Sequence, residues 1–231
     1  MKKKTVAILQ SNYIPWKGYF DIIGSVDEFI FHDDLQYTKQ DWRNRNKIKT
    51  NKGVKWLTIP CGSNEKRRIC DVVIADDRWQ RDHWKIIYDS YHKAKYFDLY
   101  APFFQKLYTS IRWTHLSAFN QYVIQFIARE FLGIPTHFSD SRIYDLTEKK
   151  EARVLEILDR VHATDYISGP SAKSYIHEET FKKHGITIHW MDYGKYREYP
   201  QFYPPFIHTV SIIDLLFSIG KKAHTYIGHT R

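Results

Sequence analysis

The order of short apolar runs constrains this chain more than any other feature. Thr5–Leu9 (TVAIL) is continuous, apolar and followed by polar punctuation, the pattern of a buried strand. Residues 13–24 then place Tyr19, Phe20, Ile22 and Ile23 on one side of a helix, with Pro15 where a helix can begin. Residues 28–32 form a second β-like run. Residues 55–60 (KWLTIP) form a third, reached through a polar, hairpin-like connection at 47–55 that contains Asn51, Lys52 and Gly53. Strand, helix, strand, loop, strand is the opening of an α/β domain.

Helical spacing dominates the middle of the chain. A helix is expected over 79–91 with Asp76 or Asp77 as its cap, a second over 103–113, and a third over 117–131 with Phe119, Val123, Phe126, Ile127 and Phe131 in phase and Gly133 beyond its end. A short strand at His137–Asp140, a helix over 148–161, a strand at Asp165–Ser168 and a late strand at 187–191 follow. Pro200, Pro204 and Pro205 make 193–206 irregular. An apolar helix closes the chain over 209–219, capped by Thr209 or Ser211 and stopped by Gly220. No stretch has the composition of a linker. The expectation is one α/β domain over 1–231, with a mostly parallel, Rossmann-like sheet and a helical insertion at about 77–133.

The net charge of +9 is spread among acids rather than gathered in a tail, and Lys2-Lys3-Lys4 is short. That pattern favours an anionic ligand such as a nucleotide diphosphate over a nucleic-acid track. Two cysteines, an N-terminal apolar run too short for a signal segment and no window of membrane-spanning length point to the cytoplasm.

Polar and aromatic residues crowd the ends of the first two runs. Gln10, Asn12, Tyr13, Trp16 and Tyr19 follow the first; Asp33, Asp34, Gln36 and Tyr37 follow the second, with Trp42, Arg43, Asn44 and Arg45 after them. Strand ends of α/β folds are where polar ligands bind. Asp33 and Asp34 can orient a hydroxyl or amine, bind a metal, or cap a turn. Arg43 and Arg45, on one face if the segment is extended, suit a phosphate, and the neighbouring Trp42 suits a ring. Gly169, Ser171 and Lys173 can cradle a phosphate at a helix start, although the Walker spacing is absent. His83 shares a helix face with Trp79 and Tyr91 and is a candidate general base or a packed ring. His177, His184, His189 and the cysteines have no zinc spacing, so no metal site is assigned. No nucleophile elbow, Rossmann glycine fingerprint or kinase set is present.

Six segments carry a family resemblance: QSNYIPWKGYF at 10–20, DDLQYTK at 33–39, DWRNRNKIK at 41–49, WLTIP at 56–60, YISGPSAK at 166–173 and SIIDLLF at 211–217. In this order they resemble the WbqC-like proteins. Ser11 departs from the proline common there. The resemblance implies a role in bacterial surface-polysaccharide, or O-antigen, lipopolysaccharide biosynthesis, where some members are described as glycine transferases. It implies transfer of an aminoacyl or other acyl group to the amine of a nucleotide-linked amino sugar. Arg43 and Arg45 would hold the diphosphate and Trp16 or Trp42 would pack a ring. Asp33, Asp34 or His83 would take a proton, and the Gly169 turn with Lys173 would offset negative charge. A fold-level likeness to nucleotidyltransferases and pantothenate synthetases, without their HxGH signature, keeps a nucleotidyltransferase or ATP-dependent amide ligase as an alternative. A basic nucleic-acid-binding module is the non-enzymatic one. The cofactor stays open between ATP with Mg²⁺ and an activated acyl donor. The expected partners are the nucleotide-linked sugar and the acyl donor, with a charged tRNA the one nucleic acid considered. Nothing fixes the oligomeric state.

Overall fold

The first apolar run becomes β1 (Thr5–Leu9), the middle strand of a five-stranded sheet in which every pairing is parallel. A computed structural model describes residues 3–228, so Lys2 of the N-terminal lysine run lies outside the described residues. On one side β1 pairs with β2 (Glu28–Phe31), Ala7 beside Phe29, and β2 pairs with β5 (His137–Asp140). On the other side it pairs with β6 (Asp165–Ser168), Ala7 beside Ile167, and β6 pairs with β7 (Thr187–Trp190). The spatial order is β5-β2-β1-β6-β7. The chain winds outward one way from β1 and the other way from β6. Between those two strands lies a topological switch point, where a crevice opens at the carboxyl ends.

Alternation of side chains gives the sheet two apolar faces. Ala7, Phe29 and Phe31 share one core with α1 (Lys17–Gly24), α4 (Leu116–Phe126) and α7 (Ile212–Ile219). Val6, Ile8, Ile30 and Tyr166 share the other with α5 (Lys150–Arg160) and α6 (Glu178–Lys183). Phe20, Phe29 and Phe31 are buried, each contributing about 2–3 kcal/mol of transfer free energy. The fold is α/β and Rossmann-like, as its strand pattern predicts.

The third apolar run does not join this sheet. β4 (Gly53–Thr58) pairs antiparallel with β3 (Arg45–Thr50) in a separate hairpin. β3 looked like a polar connection because Ile48 is its only apolar residue. Its inner face is completed by buried Asn46, whose amide donates to the carbonyls of Tyr13 (3.0 Å) and Ile14 (2.8 Å). The polar inner residue hides the alternation.

Between β4 and β5 run α2 (Arg78–Tyr91), α3 (Phe97–Thr109) and α4. α3 starts earlier than expected and keeps Pro102 inside it. The end of the 117–131 stretch widens into a π turn, Ile127–Phe131. α6 carries one buried apolar residue, Phe181, too few to show periodicity. Ser211, not Thr209, caps α7, its hydroxyl accepting from the Ile213 amide at 3.3 Å, and Gly220 at φ 68° ends it.

Two buried lysines fasten the irregular 196–209 segment. Lys17 Nζ donates to the Arg197 carbonyl at 2.8 Å and faces the rings of Tyr196, Tyr199 and Phe206. Burial lowers its pKa to about 8. Lys49 Nζ donates to Gln201 Oε1 at 3.0 Å and to the Tyr203 and Pro205 carbonyls. Among the described residues no helix is long and apolar enough to cross a membrane.

Candidate functional site

Ser11 ties the ends of β1 and β2 together: its backbone N–H donates to Asp33 Oδ1 at 2.7 Å. The other Asp33 oxygen accepts from Ser117 Oγ and from Gln121 Nε2 (2.9 Å), both on α4. Asp33 is fully buried. Burial raises its pKa while these donors oppose the rise. Gln121 also donates to Asp140 at 2.8 Å, at the end of β5. Burial acts to raise the Asp140 pKa, but its bonds to Arg142 hold it below the ordinary value. Asp34 accepts from Ser141 Oγ and from the Arg153 guanidinium, which reaches over from α5. The side-chain donors that hold Asp33 and Asp34 come from 84 to 119 residues away.

His32 stands at the end of β2 within this frame. Its Nε2 accepts from Arg153 Nε at 3.2 Å, which leaves the ring hydrogen on Nδ1. Burial pushes its pKa down to about 4, against the attraction of Asp34 and with the repulsion of Arg153. It is therefore neutral at pH 7.

A cleft of about 680 Å³ opens over the carboxyl ends beside the switch point. Leu9, Gln10, His32 and Tyr166 line its floor; Lys149, Glu151, Tyr175 and His177 line the opposite wall. Glu151 accepts from the His177 backbone N–H at 2.6 Å and from its Nδ1 at 3.0 Å, a histidine–carboxylate pair at the rim.

Arg43 bonds to one residue of this cleft and to one of a second cavity, and lines neither itself. Its Nη2 donates to Gln10 Oε1 at 3.1 Å and its Nη1 to Asn12 Oδ1 at 3.3 Å, with Asp41 at 3.5 Å. Its Nε is buried with no hydrogen-bond partner. Gln10 lines the large cleft. Asn12 lines the second cavity, a slot of about 240 Å³ with Pro15, Trp16, Trp42, Asn46 and Thr209. The guanidinium bridges Gln10 and Asn12.

Other expected residues go elsewhere. The 41–45 segment is a turn, with the Asn44 and Arg45 amides both donating to the Asp41 carbonyl at 3.1 and 3.2 Å. The alternation expected of an extended segment therefore fails. Arg43 turns to the strand end, and the Arg45 guanidinium stacks 4.4 Å above Trp56. Asn44 is buried and donates to the Ile59 carbonyl at 3.0 Å. Tyr13 is buried, its hydroxyl bonded to His83 Nδ1 (2.7 Å) and Tyr108 (2.5 Å). His83 packs there against Trp79; burial lowers its pKa to about 4, and it lines neither cavity. Tyr19 donates to the Gln10 carbonyl at 2.9 Å. Tyr37 is buried under the Arg67 guanidinium, and burial raises its pKa. Gln36 is exposed and bridges to Arg68. Gly169 precedes a 3-10 turn, Pro170–Ser174; Ser171 and Lys173 are exposed, with Lys173 Nζ 5.5 Å from the Trp190 ring. Neither lines the cleft, but Tyr175 just beyond them does.

His32, Gln121, Glu151 and Arg153 were not singled out from sequence, and His177 was weighed only as a zinc ligand. His32 had one local signal, its place beside Asp33-Asp34. The others meet the site only through the fold. Among the described residues no group of three or more histidine, cysteine or acidic side chains could hold a metal ion.

A family model described as the WbqC-like protein family matches residues 10–226, nearly the whole chain. The uncharacterized protein Rv1507c of Mycobacterium tuberculosis (strain ATCC 25618 / H37Rv) is 42% identical over 230 residues, covering 99% of this chain and 99% of that protein. No solved structure matches.

Proposed function

Because the chain belongs to the WbqC-like protein family, we propose that it is a transferase of bacterial surface-polysaccharide biosynthesis. In this reading it moves an aminoacyl group such as glycine onto the amine of a nucleotide-linked amino sugar. One observation supports the reading above others: Arg43 bonds to one residue of an aromatic slot and to one of a larger cleft that mixes apolar side chains with His32, Glu151 and His177. A nucleotide-linked sugar has the same order, ring, diphosphate, ring. The base enters the slot between Trp16 and Trp42, Arg43 takes the diphosphate in place of its amide partners, and the sugar reaches the cleft. The acyl donor meets it there.

The step forms a C–N bond between the sugar amine and the acyl carbon and breaks the bond from that carbon to its carrier. The amine gives up one proton. His177, backed by Glu151, accepts it. His32, neutral and carrying its hydrogen on Nδ1, donates to the carbonyl oxygen as negative charge develops. Asp33 and Asp34 hold the strand ends in register. We assign the reaction to the cytoplasm, since Cys61 and Cys70 are free thiols.

The test is a panel of nucleotide-linked amino sugars measured by calorimetry and turnover. Arg43→Ala is expected to weaken sugar-nucleotide binding by about tenfold or more, a lost charge-assisted pair. His177→Ala is expected to keep binding and lose about 10²-fold in turnover. Unchanged binding in Arg43→Ala would sink this reading. Lys149 and Lys150 at the cleft favour a second one, an ATP-dependent ligase in which ATP occupies the cleft. Acceptor-dependent release of pyrophosphate from ATP would select it.

A further inference from the structure

The outer face of the β3–β4 hairpin borders the proposed transferase site and shares Trp42 with its aromatic slot. From Trp42 to Thr58 the chain carries Arg43, Arg45, Lys47, Lys49, Lys52 and Lys55 and no acidic residue. The register sets Lys47 opposite Trp56 and Arg45 opposite Thr58, so these four share one face. The other face buries Asn46, Ile48 and Leu57. Outside, Trp56 is 42% and Trp42 41% exposed, with ring centres 5.6 Å apart. Lys47 Nζ stands 5.5 Å from the Trp56 ring centre and 5.6 Å from that of Trp42, and Arg45 covers part of Trp56. Among the described residues Arg45, Lys47, Lys52 and Lys55 form no ion pair. Lys49 is the exception on this face, turned away into the 201–205 segment.

We propose that this face binds single-stranded nucleic acid. Exposed indoles accept the π-face of any base, and unneutralised cations beside them follow a phosphate backbone. The occupant follows from charge and shape together. Mobile cations lying over exposed rings suit a polymer that alternates flat bases with anionic phosphates, the phosphate drawing the cation aside as the base stacks. The cavity bordering Trp42 is lined by Pro15, Trp16 and Trp42 with the amides Asn12 and Asn46, a mixed lining in which a flat ring can stack while its edge meets an amide. An anionic membrane surface is the competing occupant, and the test separates the two.

The probe is a fluorescein-labelled single-stranded oligoadenylate RNA of about 12 nucleotides, followed by anisotropy with the full chain between about 50 and 200 mM salt. We expect binding that weakens steeply with salt and exceeds that of a duplex of equal length. Trp56→Ala should weaken it about tenfold, the size of one lost base stack, and Trp56→Phe should retain most of it. Lys47→Glu with Lys52→Glu, on this face and at its exposed turn, should weaken it by at least as much while the thermal midpoint stays put. No binding at about 50 mM salt, or binding untouched by both the Trp56→Ala and the double-lysine variants, would overturn the proposal. So would binding to phosphatidylglycerol vesicles without binding to the oligonucleotide.

Discussion

The strand ends and the hairpin both gather arginines, carboxamides and aromatic rings, yet they treat charge in opposite ways. At the strand ends each charge has a partner fetched from a distant element: Asp34 from α5, Asp33 and Asp140 from α4. On the outer face of the hairpin Arg45 and Lys47 lie over rings, and Lys47 adds one hydroxyl, Thr209, with no carboxylate partner among the described residues. The difference separates a frame fixed before any ligand arrives from a surface that takes its shape with one. Preorganised groups lose less freedom on binding and stabilise charge more effectively. Unpaired surface cations give adaptable, salt-sensitive attraction.

The comparison is most easily broken at Arg153. Arg153→Met leaves Asp34 buried without its cation, and we expect a loss of about 3–5 kcal/mol in denaturant unfolding. A loss below about 1 kcal/mol would mean the frame is not fixed by that pair. Asp33→Ala comes next, at about 2–3 kcal/mol, because Ser117 and Gln121 lose an acceptor inside the protein. Asp33→Asn should cost less.

Acid tests the frame in another way. The folded pKa values of His32 and His83 are lowered to about 4, below an unfolded value near 6.5. The unfolded chain therefore binds more protons in that window. The stability these rings confer is complete above about pH 6.5 and is lost as pH falls toward 4. Asp33 and Asp214, whose pKa values burial raises, work in the opposite sense at the acidic end. Unfolding at pH 7 and pH 5 should show a shallower dependence in the His32→Asn, His83→Asn double variant than in the native chain. The smallest effect belongs to the hairpin. Trp56→Ala should change stability by no more than about 1 kcal/mol at any of these pH values.

How much of this was legible depended on distance along the chain. β1 and β2 fall where short apolar runs placed them, since a buried parallel strand needs little more than continuity. β3 did not, because Asn46 does inside what an apolar residue usually does. In the site, Gln10, Asn12 and Arg43 were legible as a dense local cluster, and the structure joins them. Trp79, His83 and Tyr91 are all buried; Tyr91 meets Asp214 and Phe217, away from the face that carries Trp79 and His83. Spacing could not say that it closes on Tyr13 and Tyr108 rather than on a cavity. Arg153, 121 residues from His32, had no local signature at all.

The grip of Lys17 and Lys49 on the 196–209 segment has a consequence for variation. Both ammonium groups mainly hold main-chain carbonyls, those of Arg197, Tyr203 and Pro205. A cation bound to carbonyls senses the path of a chain and is largely blind to the side chains along it. Substitutions at those three positions should therefore be tolerated as long as the backbone keeps its course, whereas one inserted residue would move the carbonyls off both lysines. The segment reaches Thr209 at the wall of the aromatic slot. Its length, more than its spelling, sets where that wall stands.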